Sequence, residues 1–401
     1  EAIRQFRLDV GRENVCYIHL TLVPYIAAAG EQKTKPTQHS VISLRGLGLS
    51  PDVIACRSAE PLHQGVKDKV ALFCHVNQDQ VVSVHDCTSV YEVPLILHRQ
   101  GITGFLAQRL NLAALHARPS PDFLASWSEI ATVQAECRES VSVAIVGKYT
   151  HLPDSYLSLS KALNHAGLFL RRRVSIVWIE ASDLEEGAAK YDEAWQALRA
   201  SDCVLVPGGF GDRGFEGKLA ACQYARTERK PFLGICLGFQ AAVVEYARNV
   251  LHLRTANTTE IDPESSDPVV IFMPEGSKTH MGGTMRLGTR RSIFADGHSQ
   301  SSALYVAHRQ ARAQAGQVHI DERHRHRYEV NPAYVARLEA RGELEFVARD
   351  ESGSRMEVLE LGRSQHPYYV GCQFHPEFKS RPLHPSPLFV GLLQAAMSMR
   401  G

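Results

Sequence analysis

The segment from residue 141 to residue 250 alternates regularly between strand-like and helix-like patterns. Short runs of β-branched and large apolar residues are separated by stretches in which apolar residues recur at helical spacing. The predicted strands are Val141–Val146, Val174–Ile179, Cys203–Pro207 and Pro231–Ile235, and the predicted helices are Asp154–Ala166, Tyr191–Leu198, Glu216–Arg226 and Gly238–Val250. Such a series predicts an α/β domain with a parallel sheet and helices on both faces, because each right-handed crossover places its helix on the sheet.

A similar alternation precedes this segment, and less regular strands follow it. Before it we predict strands at Val15–Pro24, Asp52–Cys56 and Val81–His85 and helices at Gln38–Leu47 and Gly65–Phe73. After it we predict strands at Met285–Leu287, Arg325–Val330, Leu344–Val347, Met356–Leu361 and Tyr368–Cys372 and a helix at Leu388–Met397. The pattern weakens near two prolines, Pro119 and Pro121. We therefore predict a first domain at 1–112, a linker at 113–140 and a second domain at 141–401.

Length and charge restrict the class of protein. A chain of 401 residues fits two domains, at roughly 100 to 200 residues each. A net charge of +1 with no charged tail gives no reason to expect nucleic acid or membrane partners. The nine cysteines are scattered without a C-x-x-C pair, which disfavours disulfides or zinc and suggests the cytoplasm. The chain begins inside a helix-like pattern without methionine, and we expect it to be the middle of a longer protein.

The sequence Gly234-Ile-Cys236-Leu-Gly238 lies where a predicted strand ends and a helix begins. This pattern is typical of a nucleophile elbow, in which flanking glycines allow other chain segments to approach the sharp turn. The helix N-terminus favours the thiolate form. Alone, the pattern fits a buried core cysteine equally well.

A partner for this cysteine follows the last predicted strand, in Gln373-Phe-His375-Pro-Glu377-Phe378. A histidine at a strand end can remove the thiol proton and later protonate a leaving group, while the carboxylate two residues on fixes its tautomer. We therefore predict a catalytic triad of Cys236, His375 and Glu377.

These motifs resemble those of class I, triad-type glutamine amidotransferases. The resemblance implies that the cysteine attacks the side-chain amide of glutamine, ammonia leaves and water hydrolyses the thioester. It also implies that Pro207-Gly-Gly209-Phe-Gly211 is the oxyanion loop, with Gly209 and Leu237 as backbone donors. The same loop contains a G-x-G-x-x-G pattern, Gly209 to Gly214, which is also found in dinucleotide sites. This pattern follows the third strand of its domain rather than the first, and its position therefore disfavours a dinucleotide site. No intact phosphate loop occurs in the 401 residues.

A second group of residues lies at Lys33-Thr-Lys-Pro-Thr-Gln38, before a predicted helix. Two lysines on a stiff segment can bind an anion such as a triphosphate, although read alone they also fit a solvated loop. With Arg45 to Asp52 and Cys56 to Ser58, this segment resembles the second half of the amidoligase domain of the CTP synthase family. The resemblance extends along the whole chain and includes Gly282 to Gly288 and Glu322 to Val330.

This resemblance implies a flavodoxin-like amidotransferase domain preceded by the second half of a P-loop-type amidoligase domain. It implies a ligase that aminates UTP to CTP with ATP, Mg²⁺ and ammonia from glutamine, with CTP as feedback inhibitor, GTP as allosteric activator and no tightly bound cofactor. It also implies homotetramers and filaments. The implied UTP and CTP site consists of Lys33, Thr34, Lys35, Pro36, Thr37, Gln38 and Lys69. The implied glutamine site consists of Gly209, Leu237, Gly238, Phe239, Gln240, Glu260 and Arg327, and Arg286 belongs to a lid associated with GTP.

The sequence also departs from the family pattern. The family's phosphate loop and Mg²⁺ carboxylates precede the residues present here, so we expect this chain alone to hydrolyse glutamine and to form no CTP. Phe239 replaces a common methionine, and Ser299 to Gln317 is unusually long and polar. His324 and His326 share one strand face, but without a third ligand we predict no metal site. Two alternatives are a stand-alone γ-glutamyl hydrolase, which has no reason to carry Lys33 to Gln38, and a non-catalytic filament subunit.

Overall fold

The structure, a computed structural model, describes residues 1–112, 121–273, 285–295, 297–314 and 317–400. They form two compact units, Glu1–Glu136 and Cys137–Gly401. The first eight residues of the predicted linker, 113–120, and part of the motif from Gly282 to Gly288 lie outside the described residues. In the described part of the chain, no helix is long and apolar enough to cross a membrane.

The first unit contains a parallel sheet of three strands in the order β1-β4-β5. Its strands are β1 Ile18–Leu22, β2 Tyr25–Ile26, β3 Glu31–Gln32, β4 Val53–Ser58 and β5 Val81–His85. Its helices are α1 Ala2–Val10, α2 Lys35–Gly46, α3 Gln64–Cys74, α4 Val93–Arg99, α5 Ile102–Arg109 and α6 Pro121–Glu136. The central strand β4 buries apolar residues on both faces, with Ile54 packed in one cluster and Val53 in another.

The predicted elements of the first unit are present with small shifts. Helix α2 begins three residues earlier than predicted, at Lys35, because Pro36 occupies its first turn, where a missing N–H costs nothing. Strand β1 ends at Leu22 because the chain then forms the short antiparallel pair β2-β3. Helices α4 and α5 were not predicted; each has only two turns, too few to show a clear periodicity.

The second unit contains one large sheet and a separate small one. Its strands are β6 Ser140–Gly147, β7 Arg173–Glu180, β8 Cys203–Val206, β9 Phe232–Ile235, β10 Ala256–Thr258, β11 Asp267–Phe272, β12 Arg286–Phe294, β13 Arg312–Gln314, β14 Gln317–His326, β15 Tyr328–Val330, β16 Leu344–Asp350, β17 Met356–Leu361 and β18 Tyr369–Cys372. Its helices are α7 Leu157–Phe169, α8 Tyr191–Ala200, α9 Phe215–Thr227, α10 Leu237–Asn249, α11 Gln300–Ala307, α12 Pro332–Glu339 and α13 Pro387–Ser398.

Ten strands form this sheet in the order β13-β14-β12-β16-β17-β18-β9-β8-β6-β7. The neighbours from β18 to β7 are parallel. Read along the chain, their order is 2-1-3-4-5, which confirms the flavodoxin-like fold. The other neighbours are antiparallel, so the predicted parallel sheet is only half of the sheet that forms. Strands β10, β11 and β15 form a separate small sheet.

Helices cover both faces of the parallel half. Leu219 of α9 and Phe239 of α10 pack in one core cluster, and Leu163 of α7 and Leu392 of α13 pack in the other. In such a fold, ligands bind beyond the carboxyl ends of the strands, near the point where the strand order reverses. Here that point lies between β6 and β8, and β9 and β18 end beside it.

Candidate active site

Cys236 is the residue between β9 and α10, and its backbone adopts φ 53° and ψ −101°. A positive φ is uncommon for a residue with a side chain and costs free energy, so it persists only where the surroundings enforce it. Two glycines allow the turn: a Cβ on Gly234 would lie 2.7 Å from the Gly238 carbonyl oxygen, and a Cβ on Gly238 would lie 2.0 Å from that of Val206. Glycine is therefore required on both sides of Cys236.

His375 lies beside this turn because β18 is the parallel neighbour of β9. The register pairs Cys372 with Ile235, and the Cys236 amide donates to the Cys372 carbonyl at 2.8 Å. Nδ1 of His375 lies 2.8 Å from Oε1 of Glu377, and both side chains are almost fully buried. The ring of His375 also stacks on that of Phe378, with centroids 5.2 Å apart.

The electrostatics of the three predicted triad residues favour an ion pair. Burial alone would lower the pKa of His375, but a hydrogen bond with Cys236 and the charges of Cys236 and Glu377 outweigh it and raise the pKa to about 10. The raised pKa favours a protonated imidazole at neutral pH. A thiolate beside an imidazolium is the reactive form of a cysteine nucleophile.

A cavity of about 170 Å³ opens onto this group. Its wall is formed by Ser155, Tyr156, Ser158, Leu159, Pro207, Gly208, Gly209, Phe210, Cys236, Arg325, His375, Glu377 and Phe378. The predicted triad residues and part of the predicted oxyanion loop thus meet at one cavity.

The loop from Pro207 to Gly211 follows β8 and is held close to the triad. A Cβ on Gly208 would lie 2.9 Å from Cε1 of His375, so glycine is required there. The buried amine of Lys148 donates to the carbonyls of Phe210 and Gly211, each at 2.6 Å. Sequence reasoning missed Lys148; its position directly after β6, at the switch point, was the available signal.

The residues expected to hold glutamine lie at different depths. Gly209 is on the cavity wall, while Leu237, Gly238 and Phe239 are buried at the start of α10, so they can offer only backbone groups to a ligand. Among the described residues, the cavity wall does not include Gln240, Glu260 or Arg327. The carboxylate of Glu260 instead accepts from the Gly211 amide at 2.9 Å.

Arg286 and Glu357 form a buried ion pair, with their nearest side-chain atoms 2.9 Å apart. Burial raises the pKa of Glu357 to about 7, although the positive charge of Arg286 opposes this rise. The resemblance places Arg286 in a lid, but the structure turns its guanidinium into the protein. In this arrangement it does not offer its charge to a nucleotide.

His324 and His326 lie side by side, with Nδ1 of one 3.2 Å from Nε2 of the other. Burial is the main cause that lowers their pKa values, to about 2 and about 3 respectively. Both rings are therefore neutral at physiological pH and serve as hydrogen-bonding groups. In the described part of the chain, no three His, Cys, Asp or Glu residues are grouped as metal ligands.

The predicted nucleotide segment of the first unit is partly exposed and partly buried. Lys33 forms an exposed ion pair with Glu31. The hydrogen bond from Lys33 is the main cause that lowers the pKa of Glu31, and the charge of Lys69 lowers it further. The structure thus pairs Lys33 with a carboxylate, Glu31, that sequence reasoning did not include, and Lys69 lies near enough for its charge to act on that carboxylate.

The other members of this segment fix the backbone. The buried Thr37 donates to the Leu22 carbonyl at 3.1 Å. The buried Gln38 donates to Oγ1 of Thr34 at 3.0 Å. Lys35 and Pro36 start helix α2. The segment is therefore held rigidly at a helix N-terminus.

Comparison with known proteins identifies two family profiles in the chain. Residues 1–112 match "CTP synthase N-terminus", and residues 151–395 match "Glutamine amidotransferase class-I". CTP synthase 1-B of Xenopus laevis is 52% identical over 99% of this chain and 66% of its own length. Human CTP synthase 1 is 49% identical with the same coverage, and CTP synthase of Dictyostelium discoideum is 49% identical over 99% of this chain and 71% of its own length.

A solved structure agrees with these matches. The glutaminase domain of Trypanosoma brucei CTP synthase with bound acivicin is 35% identical and has a TM-score of 0.57, covering 65% of this chain and 94% of that chain. The chain spans about two thirds, 66%, of the length of the first two relatives above. From its fold, its two family profiles and relatives that match almost its full length, the chain belongs to the CTP synthase family.

Proposed function

We propose that this protein acts in the amination of UTP to CTP and that its second unit hydrolyses glutamine to supply the ammonia. One observation carries the proposal: Cys236, His375 and Glu377 meet at one cavity, and the Glu377 carboxylate lies 2.8 Å from Nδ1 of the imidazole. This arrangement serves acyl transfer from an amide through a thioester.

In the first half-reaction, the Cys236 thiolate attacks the side-chain carbonyl carbon of glutamine. His375 gives its proton to the departing nitrogen, so that ammonia leaves and a glutamyl thioester remains. Glu377 keeps the imidazole oriented through the 2.8 Å bond to Nδ1. The backbone N–H groups of Gly209 and Leu237 stabilise the oxyanion of the tetrahedral intermediate.

In the second half-reaction, His375 removes a proton from water, which attacks the thioester and releases glutamate. The thiolate leaves as it was, and the imidazole is again protonated. Glutamine is held by backbone groups of Gly209 and of Leu237 to Phe239. Glu260 and Arg327 bind its α-amino and α-carboxylate groups, and Gln240 is a further residue of the glutamine site.

In the first unit, Lys33 and Lys69, with the rigid segment from Thr34 to Gln38, bind the triphosphates of UTP and of the inhibitor CTP. ATP and Mg²⁺ serve the activation of UTP, and we assign no residue of this chain to them. GTP acts as activator after Arg286 is released from Glu357. The protein forms homotetramers that also assemble into filaments. It acts in the cytoplasm.

Two measurements on the chain test this function. Glutamate release from glutamine tests the second unit, and calorimetric titration with UTP and CTP tests the first. We expect glutamate release and binding of both nucleotides that weakens as salt is added. Glutamate release without nucleotide binding would favour a stand-alone glutamine hydrolase, and absence of glutamate release from the folded chain would overturn the proposal.

A further inference from the structure

Gln373 places its side-chain amide against the sulfur of Cys236. Nε2 of Gln373 lies 3.7 Å from Sγ, within the distance of an N–H to sulfur hydrogen bond. The side chain is 1% exposed. Its backbone amide donates to the Glu357 carbonyl at 2.9 Å, which fixes the residue at the end of β18. Gln373 therefore reaches the reacting atom from a rigid position.

A neighbouring amide determines which end of the Gln373 side chain faces the sulfur. Nε2 of Gln240 lies 2.9 Å from the Tyr328 carbonyl oxygen, which can only accept a hydrogen bond. The same Nε2 lies 3.2 Å from Oε1 of Gln373. Because Gln240 donates to both groups, the oxygen of Gln373 must face Gln240. The NH₂ group of Gln373 is left to point at Sγ.

The sulfur has different partners in its two protonation states. As a thiol it can donate to the Arg325 carbonyl oxygen, which lies 3.8 Å away. As a thiolate it can only accept, and the partial negative charge of that carbonyl then repels it. The structure offers two donors for the thiolate: the imidazolium of His375 and Nε2 of Gln373.

We propose that Gln373 is a further catalytic residue, whose amide N–H stabilises the Cys236 thiolate before attack and again when the thioester breaks, and that Gln240 is the positioning residue that orients it. The inference rests on the proposed glutaminase function. It changes the role of Gln240, because the amide of Gln240 then acts on the sulfur through Gln373 instead of on the bound glutamine.

Other titratable or charged residues near the sulfur come from several elements. They are His375 and Glu377 after β18, Cys372 on β18, Lys218 on α9 and Arg325 on β14. A variant at position 373 leaves all of them in place. A change in thiol reactivity can therefore be assigned to the lost amide.

The test compares Gln373→Met, which keeps the length of the side chain and removes its donor, with Gln394→Met on the exposed face of α13. The first readout is the rate of alkylation of Cys236 by iodoacetamide as a function of pH, and the second is glutamate release. The net free energy of a hydrogen bond to a charged group corresponds to a factor of about 10 to 100 in an equilibrium constant. We expect the pH of half-maximal alkylation to rise by about one unit or more and kcat to fall about 10-fold or more with little change in KM.

A second variant covers the case in which Gln373→Met does not fold. Gln240→Met removes the orienting donor and leaves the side chain of Gln373 free to rotate. We therefore expect a smaller rise in the pH of half-maximal alkylation and a smaller fall in kcat. Gln394→Met should match the wild type. If the wild type releases no glutamate, the proposed function is contradicted. The alkylation profile still tests the role of Gln373 in that case, because alkylation needs no glutamine. Wild-type profiles in the folded variants at both positions would overturn the inference.

Discussion

Nδ1 of His375 lies 2.8 Å from Oε1 of Glu377, although only Pro376 separates the two residues. Strand β18 ends just before them, and a single turn of 3₁₀ helix, Pro376–Lys379, brings the carboxylate back to the ring. This bond occupies Nδ1 and leaves Nε2 for Cys236. The orientation of the base is therefore built into five consecutive residues.

Glu377→Gln should slow glutamate release by on the order of 100-fold. The carboxylate helps to raise the pKa of His375 to about 10, so its removal lowers that pKa and weakens the thiolate–imidazolium pair. Alkylation of Cys236 near pH 6 should slow as well, and the exposed Glu264→Gln should behave as wild type. Equal alkylation rates in Glu377→Gln and wild type would contradict the electrostatic role of Glu377.

Gly238→Ala should destabilise the second unit and abolish glutamate release. The new Cβ would lie 2.0 Å from the Val206 carbonyl oxygen, in backbone that cannot move without displacing β8 or α10. We expect a loss of at least about 1 to 3 kcal/mol in the free energy of unfolding. Gly362→Ala is the control, because its Cβ would meet no atom closer than 3.8 Å. Similar melting temperatures for the two variants would refute the steric argument.

Lys218→Met should stabilise the protein, and more at neutral pH than at high pH. The side chain of Lys218 is 0% exposed, and among the described residues its amine has no hydrogen-bond partner. Burial, followed by the nearby positive charge of Lys148, lowers the pKa to about 7. Replacing a buried unpaired charge with an apolar residue of similar size should contribute about 1 to 4 kcal/mol.

The sign of the pH dependence follows from proton binding. An unfolded lysine has a pKa of about 10.4, so between pH 7 and that value the unfolded chain binds more protons than the folded one. Stability of the wild type therefore rises with pH through this window. The gain in melting temperature of Lys218→Met should be largest at or below pH 7 and should shrink by pH 10, whereas the exposed Lys161→Met should show no such trend. A gain independent of pH would show that charge is not its cause.

Glu31→Gln should tighten the binding of UTP, and Lys33→Gln should weaken it. Glu31 forms an ion pair with Lys33, and a triphosphate must displace that carboxylate. Both effects should shrink in high salt, because the groups are exposed and screened. Calorimetric titration measures the two dissociation constants, with the exposed Asp79→Asn as a matched control. Weaker UTP binding by Glu31→Gln would show that the phosphates lie elsewhere.

The part of the fold that could be predicted is the part whose sequence signal is local. Strands β6, β8 and β9 contain short runs of apolar residues, and these runs are buried. The glycines on either side of Cys236 and the sequence from Gln373 to Glu377 also lie within single turns. Local patterns therefore indicated Cys236, His375 and Glu377, which lie on one cavity wall, but not Ser155, Tyr156 or Arg325 of the same wall.

Strands β12 and β14 could be predicted only in fragments, because titratable side chains occupy much of the buried face of β14. Glu322, His324 and His326 are buried. The two histidines contact each other, two residues apart, whereas the partner of Glu322 lies farther away along the chain. Tyr305, for example, donates to Glu322 at 2.8 Å. The burial of Arg286 depends likewise on Glu357, seventy-one positions later. Such pairs cannot be read from a local pattern of apolar residues.

The role of Cys236 is tested by measuring the release of glutamate from glutamine by the wild-type chain and by Cys236→Ala. We expect release by the wild type and none above the blank for the variant, with both proteins folded by circular dichroism. Release by Cys236→Ala at the wild-type rate, or none from the folded wild type, would contradict the assignment of Cys236 as the nucleophile of a glutaminase.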